Sequence, residues 1–159
     1  MKRSIFYCKS WFRAKERPTE VWTEERAKFA HMNKQNYTAL VDSIDRPYCF
    51  LEVADKVVGV GFLDEHLREP LTYAFQELES GKLFLTMATH REFEGETDKV
   101  VGGISYIFKG DGTVQMRKEF FNPHRFETAA ISADVRTNYS DMPDFGEYSD
   151  LIKIERGEN

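Results

Sequence analysis

Residues 71–121 read LTYAFQELESGKLFLTMATHREFEGETDKVVGGISYIFKGDGTVQMRKEFF, and this stretch decides the fold class. Apolar residues alternate with polar ones in three runs: at Leu83, Leu85 and Met87, from Val100 to Phe108, and at Val114, Met116 and Phe120. A period of two is what a strand with one buried face requires. Compact turns with glycine precede the first and last runs, at Glu79-Ser80-Gly81-Lys82 and Gly110-Asp111-Gly112. The pattern predicts strands at Leu83–Phe93, Lys99–Phe108 and Thr113–Phe121 in an antiparallel meander. Between the first two, Glu92, Glu94, Glu96 and Asp98 place an acid at every second position, so an extended backbone sets them along one side. Gly95 is the natural bend that gathers them into a cluster at the end of the sheet.

Outward from this stretch, Tyr48–Val53 and Val57–Leu63 read as a tight antiparallel pair around Ala54-Asp55-Lys56. Leu67 to Leu78 carries two readings. Leu67, Leu71, Ala74, Phe75 and Leu78 fit a helix with Pro70 in its first turn, whereas Thr72, Tyr73 and Phe75 are strand formers that lead by a turn into Leu83. Towards the N-terminus, Ser4–Cys8 is a short β-prone segment, followed by a basic connector that ends at Pro18. Thr23 is an N-cap candidate, with Glu24 and Glu25 at the positive end of the helix dipole. From there Phe29, Ala30, Tyr37, Leu40, Val41 and Ile44 recur at helical spacing, which predicts one amphipathic helix over about 24–44, ended by Pro47. The expected architecture is α+β: an antiparallel meander of about six strands covered on one face by this N-terminal helix. The chain is expected to be a single domain over 1–159, with a basic segment 1–17, a β-rich body 48–135 and an acidic C-terminal segment 136–159.

Composition narrows the function classes. Net charge is −5, yet residues 1–17 carry six Lys or Arg against Glu16 alone, so the rest of the chain has a net charge of −10. An acidic body argues against binding a phosphate backbone, which depends on cations that release counterions. It favours a basic protein partner. No apolar run approaches the roughly 20 residues that a membrane helix needs, and the N-terminus lacks a signal-peptide core, so the expectation is a cytoplasmic protein that binds neither membrane nor nucleic acid. Cys8 and Cys49 are too few for a disulfide scaffold and lie at no metal-ligand spacing, so both are expected to be reduced and buried.

Motifs for catalysis or cofactors are sparse. His31, His66, His90 and His124 are far apart in sequence, and Gly59-Val60-Gly61 and Gly102-Gly103 complete no phosphate-binding loop. His90 and Glu92 share a strand face and could form an acid/base pair in a small hydrolase. A pocket between sheet and helix, lined by some of the 13 Phe residues, would make a small-molecule binding module. No catalytic residue, metal ligand or cofactor is assigned. What stands out is acid beside aromatic: a second concentration, Asp134, Asp141, Asp144, Glu147 and Asp150, is interleaved with Tyr139, Phe145 and Tyr148. Carboxylates steer a basic partner while Tyr and Phe supply contact area.

The Gly81–Thr86 run, the Arg91–Val101 acidic turn, the Gly110-Asp111-Gly112 hairpin and the Tyr139–Leu151 segment together resemble small immunity proteins of bacterial polymorphic toxin systems, in particular those paired with contact-dependent growth-inhibition toxins. The resemblance covers about half the chain and brings no fixed functional residues. It implies a non-enzymatic cytoplasmic antitoxin that binds the toxic C-terminal domain of an incoming effector, commonly a basic nuclease, and occludes its active site. The expected partner-binding residues are then Glu92, Glu94, Glu96, Asp98, Tyr139, Asp141, Asp144, Phe145, Glu147, Tyr148 and Asp150.

Overall fold

A computed structural model describes residues 2–154 and Arg156. The remaining part of the expected acidic segment, Glu155 and 157–159, lies outside the described residues, as does Met1. The described chain folds into one eleven-stranded antiparallel sheet: β1 (Ile5–Phe12), β2 (Arg17–Trp22), β3 (Tyr37–Val41), β4 (Cys49–Val53), β5 (Val57–Phe62), β6 (Leu71–Glu77), β7 (Lys82–Phe93), β8 (Val100–Phe108), β9 (Thr113–Phe120), β10 (Arg125–Ser132) and β11 (Tyr139–Asp141). One helix, α1 (Glu24–Met32), interrupts them. From β3 to β10 each strand pairs with the next, β1 inserts beside β3, and β2 and β10 form the two edges. The twelve-residue β7 has more than one neighbour on one side, since β8 takes Met87–Phe93 while the returning β11 takes Lys82–Phe84.

The expected six-strand sheet under a long N-terminal helix is therefore incorrect. The helix spans nine residues. It begins as expected, with the Thr23 hydroxyl accepting from Arg26 N–H and Glu24 and Glu25 in the first turn. It ends at Asn33, after which Lys34 takes a left-handed conformation (φ 54°) and Gln35 N–H donates back to Ala30 C=O, closing the last turn as glycine-capped helices do. The apolar residues that seemed to continue it, Tyr37, Leu40 and Val41, form β3, in which all five residues are buried. A strand covered on both faces shows a continuous apolar run, which periodicity cannot separate from a buried helix segment. The basic connector is also strand: β1 runs on to Phe12 and a tight turn leads into β2, whose Pro18 is tolerated because the strand is an edge. Leu71–Glu77 resolves the open choice in favour of strand.

The helix covers little; only Ala27 and Ala30 are buried, against β1 and β3. The main cover of the inner face is the C-terminal segment. Tyr148, Leu151 and Ile152 join Tyr7, Tyr37, Val41, Leu51, Val60, Tyr73, Phe75 and Leu85 in one core. Phe145 stacks on Tyr7 (centroids 4.9 Å apart), the Tyr148 and Tyr37 hydroxyls are 2.8 Å apart, His31 Nδ1 lies 2.9 Å from the Tyr37 hydroxyl, and Tyr73 donates to Ile154 C=O. Burial, then its interaction with Tyr37, pushes the Tyr148 phenol well above its ordinary pKa, so it stays neutral.

On the outer face, Cys8, Trp11, Leu40 and Phe50 form a smaller cluster in which Trp11 stacks on Phe50 (centroids 5.6 Å apart). Gly61 makes room for it, because a Cβ there would overlap the Phe50 ring. Both cysteines are free, and burial pushes each thiol up to about 12. Among the described residues no helix is long and apolar enough to cross a membrane. Urea denaturation of Tyr148→Ala should show a loss of about 3–5 kcal/mol, the range for truncating a buried aromatic, whereas Tyr148→Phe should lose about 1 kcal/mol for its hydroxyl pair.

Candidate functional site

Three connections bring carboxylates together at one end of the sheet: the β1–β2 turn, the β5–β6 loop and the β7–β8 hairpin. In the first, Glu16 sits at positive φ (52°), with its N–H donating to Arg13 C=O. In the second, Asp64 organises the chain around itself. Its Oδ1 accepts from His66 and Arg68 N–H, and its Oδ2 accepts from Arg68 Nε at 2.9 Å. Burial alone would raise the Asp64 carboxyl, but the Arg68 and His66 donors and the guanidinium charge outweigh it and hold the group below its ordinary value. In the third, Glu94 C=O accepts from the N–H and hydroxyl of Thr97, and Gly95 turns at φ 54°.

Arg68 ties the second and third together. Its side chain, 13% exposed, donates from Nη1 to Gly95 C=O (2.8 Å) and Thr97 C=O (2.9 Å) while lying over the Phe93 ring. The result is a cleft of about 380 Å³ lined by Glu16, Arg46, Glu65, His66, Glu96 and Asp98. A neighbouring cleft of about 540 Å³ shares Glu16 and Asp98 and adds Trp11, Arg13, Glu69 and Arg91. Arg13 clamps the second cleft from Glu52 (2.6 Å) to Glu69 (3.0 Å).

Arg46 lines the cleft from the β3–β4 connection, but its Nη2 donates to Glu65 C=O rather than to a carboxylate. Among the described residues Glu16, Glu96 and Asp98 have no salt-bridge partner. Glu16 Oε2 is enclosed without a hydrogen-bond donor. Burial, then the charges of Asp98 and Asp64, hold the Glu16 carboxyl above its ordinary value. Among the described residues no three His, Cys, Asp or Glu side chains converge as metal ligands. The arrangement suits an incoming ammonium or guanidinium that supplies the missing positive charge.

Of the four alternating acids, Glu96 and Asp98 reach this cleft, Glu94 pairs with Lys99 at 3.5 Å, and Glu92 stays on the exposed part of β7. The bend at Gly95, with an irregularity in pairing between Glu92 and Phe93, breaks the ladder. The C-terminal group lines neither cleft. Tyr148 is 2% exposed and Phe145 packs on Tyr7, so both belong to the core. Tyr139 rests on Phe84, Asp141 pairs with Lys82, Asp150 with Lys153 and Asp134 with Arg136. Asp144 is exposed, with its charge acting on His31, and Glu147 lines a separate cleft beside Lys2, Arg3 and Lys153.

His90 meets the Tyr106 ring edge-on at 6.0 Å, in an inner-face groove of about 460 Å³ that Glu92 does not line. Sequence reasoning missed Glu16, Glu65, Asp64 and Arg68. The one signal for Asp64, Glu65 and Arg68 was the charge-dense Asp64–Glu69 run between two strands, which the double reading of residues 67–78 obscured, and Glu16 had none. Comparison with known protein families, curated proteins and solved structures returned no match.

Because its folded pKa is depressed, Asp64 contributes stability above the ordinary carboxylate range, lost as pH falls through the folded value; Asp64→Asn should therefore weaken the acid dependence of unfolding. Asp98→Asn removes a like charge and should lower the Glu16 pKa in a carboxyl ¹³C titration. Arg68→Met should cost about 2 kcal/mol and speed amide exchange at Gly95–Lys99 while leaving β4 and β5 protected.

Proposed function

We propose that this chain is a binding protein that neutralises a basic toxin domain, such as a nuclease, by inserting that domain's Lys or Arg side chains into the three-loop cleft and covering its active site. The observation that carries the reading is the convergence of Glu16, Glu65 and the Glu96/Asp98 pair from three loops around a cleft in which Glu16, among the described residues, has no salt-bridge partner and its Oε2 no hydrogen-bond donor. Every carboxylate left unpaired there works against the fold, so the arrangement has a cost that a cationic partner relieves on binding. The cationic rims of nuclease active sites are complementary to such a surface. Long-range steering then speeds encounter and is screened over about 8–10 Å at physiological ionic strength.

The bond network of Arg68 gives the cleft a fixed shape before a partner arrives, which limits the ordering cost of association. On this reading the buried Tyr148 and the half-buried Phe145, which packs on Tyr7, hold the fold rather than the partner. Growth rescue is the direct test. Where a gene beside this one encodes a large secreted protein, cells expressing its C-terminal toxin domain should survive when the chain is co-expressed. The charge reversals Glu96→Lys and Asp98→Lys, on exposed loop positions, should abolish rescue without loss of fold and slow association by roughly tenfold or more at low salt. Absence of rescue by the unaltered chain, or full rescue by the reversed one, contradicts the reading.

A further inference from the structure

The two edges of the sheet are finished differently. At one edge, β2 reads Arg17-Pro18-Thr19-Glu20-Val21-Trp22, with a proline, two charges and a positive φ of 41° at Glu20. These are the devices by which edge strands refuse another strand. At the other edge, all eight residues of β10 are exposed, and from Thr128 to its end at Ser132 the strand contains neither charge nor proline: Thr128-Ala129-Ala130-Ile131-Ser132.

The direction of the free hydrogen-bonding groups follows from the register. Lys109 N–H donates to Thr113 C=O, so the odd residues of β9 face β8 and its even residues face β10. Their partners in β10 are the odd residues, as in Val114↔Ile131 and Met116↔Ala129. Ala133 N–H, which donates to Gly112 C=O, continues the same parity. The N–H and C=O groups of Phe126, Thr128, Ala130 and Ser132 therefore point away from the sheet. They form an evenly spaced row ready for an antiparallel strand.

We propose that this row pairs with β10 of a second copy of the chain, with Ala130 facing Ala130 across a two-fold axis. An isologous antiparallel pair must match residues of the same parity, since the axis is perpendicular to the sheet and each face continues into itself. Centring on Ala130 sets Thr128 against Ser132 twice, a hydroxyl pairing that sheets favour, and Ala129 against Ile131 twice on the inner face. The alternative centre at Thr128 would bring the two Glu127 residues to diagonal positions, whereas the Ala130 centre holds them about six residue rises, roughly 20 Å, apart. Charge thus disfavours the Thr128 register, and the uncharged stretch is the one that pairs. Ile131, 45% exposed in the single chain, gains a neighbour. Neither acidic cleft involves β10, so both copies keep a free cleft.

Sedimentation of the full chain over a range of protein concentration tests the proposal, with circular dichroism to verify that each variant is folded. The unaltered chain should form a dimer. Ala130→Lys should be monomeric because two ammonium groups then face each other, Ala130→Asp should be monomeric for the same reason, and an equimolar mixture of the two should dimerise. Amide exchange at Phe126, Thr128, Ala130 and Ser132 should slow as concentration rises, and exchange in β2 should not. An unaltered chain that stays monomeric overturns the proposal. So does a dimer that survives both single substitutions, because its contact would then lie elsewhere.

Discussion

The inner face of the sheet has to be kept from water, and the C-terminal segment is what keeps it. Most of the remaining architecture is local, since from β3 to β10 each strand pairs with the next in sequence. The contact between Tyr148 and Tyr37 spans 111 residues, and that between Ile154 and Tyr73 spans 81. Closing such distances costs chain entropy that the local meander never has to meet. It is offset by burial of Tyr148, Leu151 and Ile152 and by stacking of Phe145 on Tyr7. Without this cover Leu51, Val60 and Phe75 would face solvent, and α1, with only Ala27 and Ala30 buried, is too small to replace it.

That constraint settles which acids are free. In the C-terminal segment Asp141 pairs with Lys82 of β7 and Asp150 with Lys153 of the same segment. In the three-loop cleft they are held close together without such partners, and the device that holds them is Arg68 reaching across from Asp64 to the β7–β8 hairpin. Two stretches of similar composition thus do opposite things. One is tied into the fold, while the other is kept open by it.

The meander from Tyr48 to Phe121 was legible in the sequence because its strands alternate and its turns carry glycine, and the N-terminus of α1 was legible from Thr23 and the two glutamates. The helix C-terminus was not. Asn33-Lys34-Gln35-Asn36 is polar enough to pass for a solvated helical face, and the fully buried β3 behind it has no alternation to betray a strand. Tyr148 and Phe145 looked like interface aromatics because a segment without regular structure hides the face it presents inward. The cleft was half legible: Glu96 and Asp98 stood out by spacing, but Glu16 and Asp64 come from distant loops that only the sheet brings together. β10 was only weakly legible, because its full exposure removes the apolar alternation that marks the other strands.

The most direct measurement is amide hydrogen exchange of the full chain with and without the basic toxin domain proposed as its partner. The account predicts new protection in residues 13–16, 64–69 and 94–98, with exchange in 142–152 unchanged by the partner. New protection confined to 142–152, with the three loops unaffected, would contradict it.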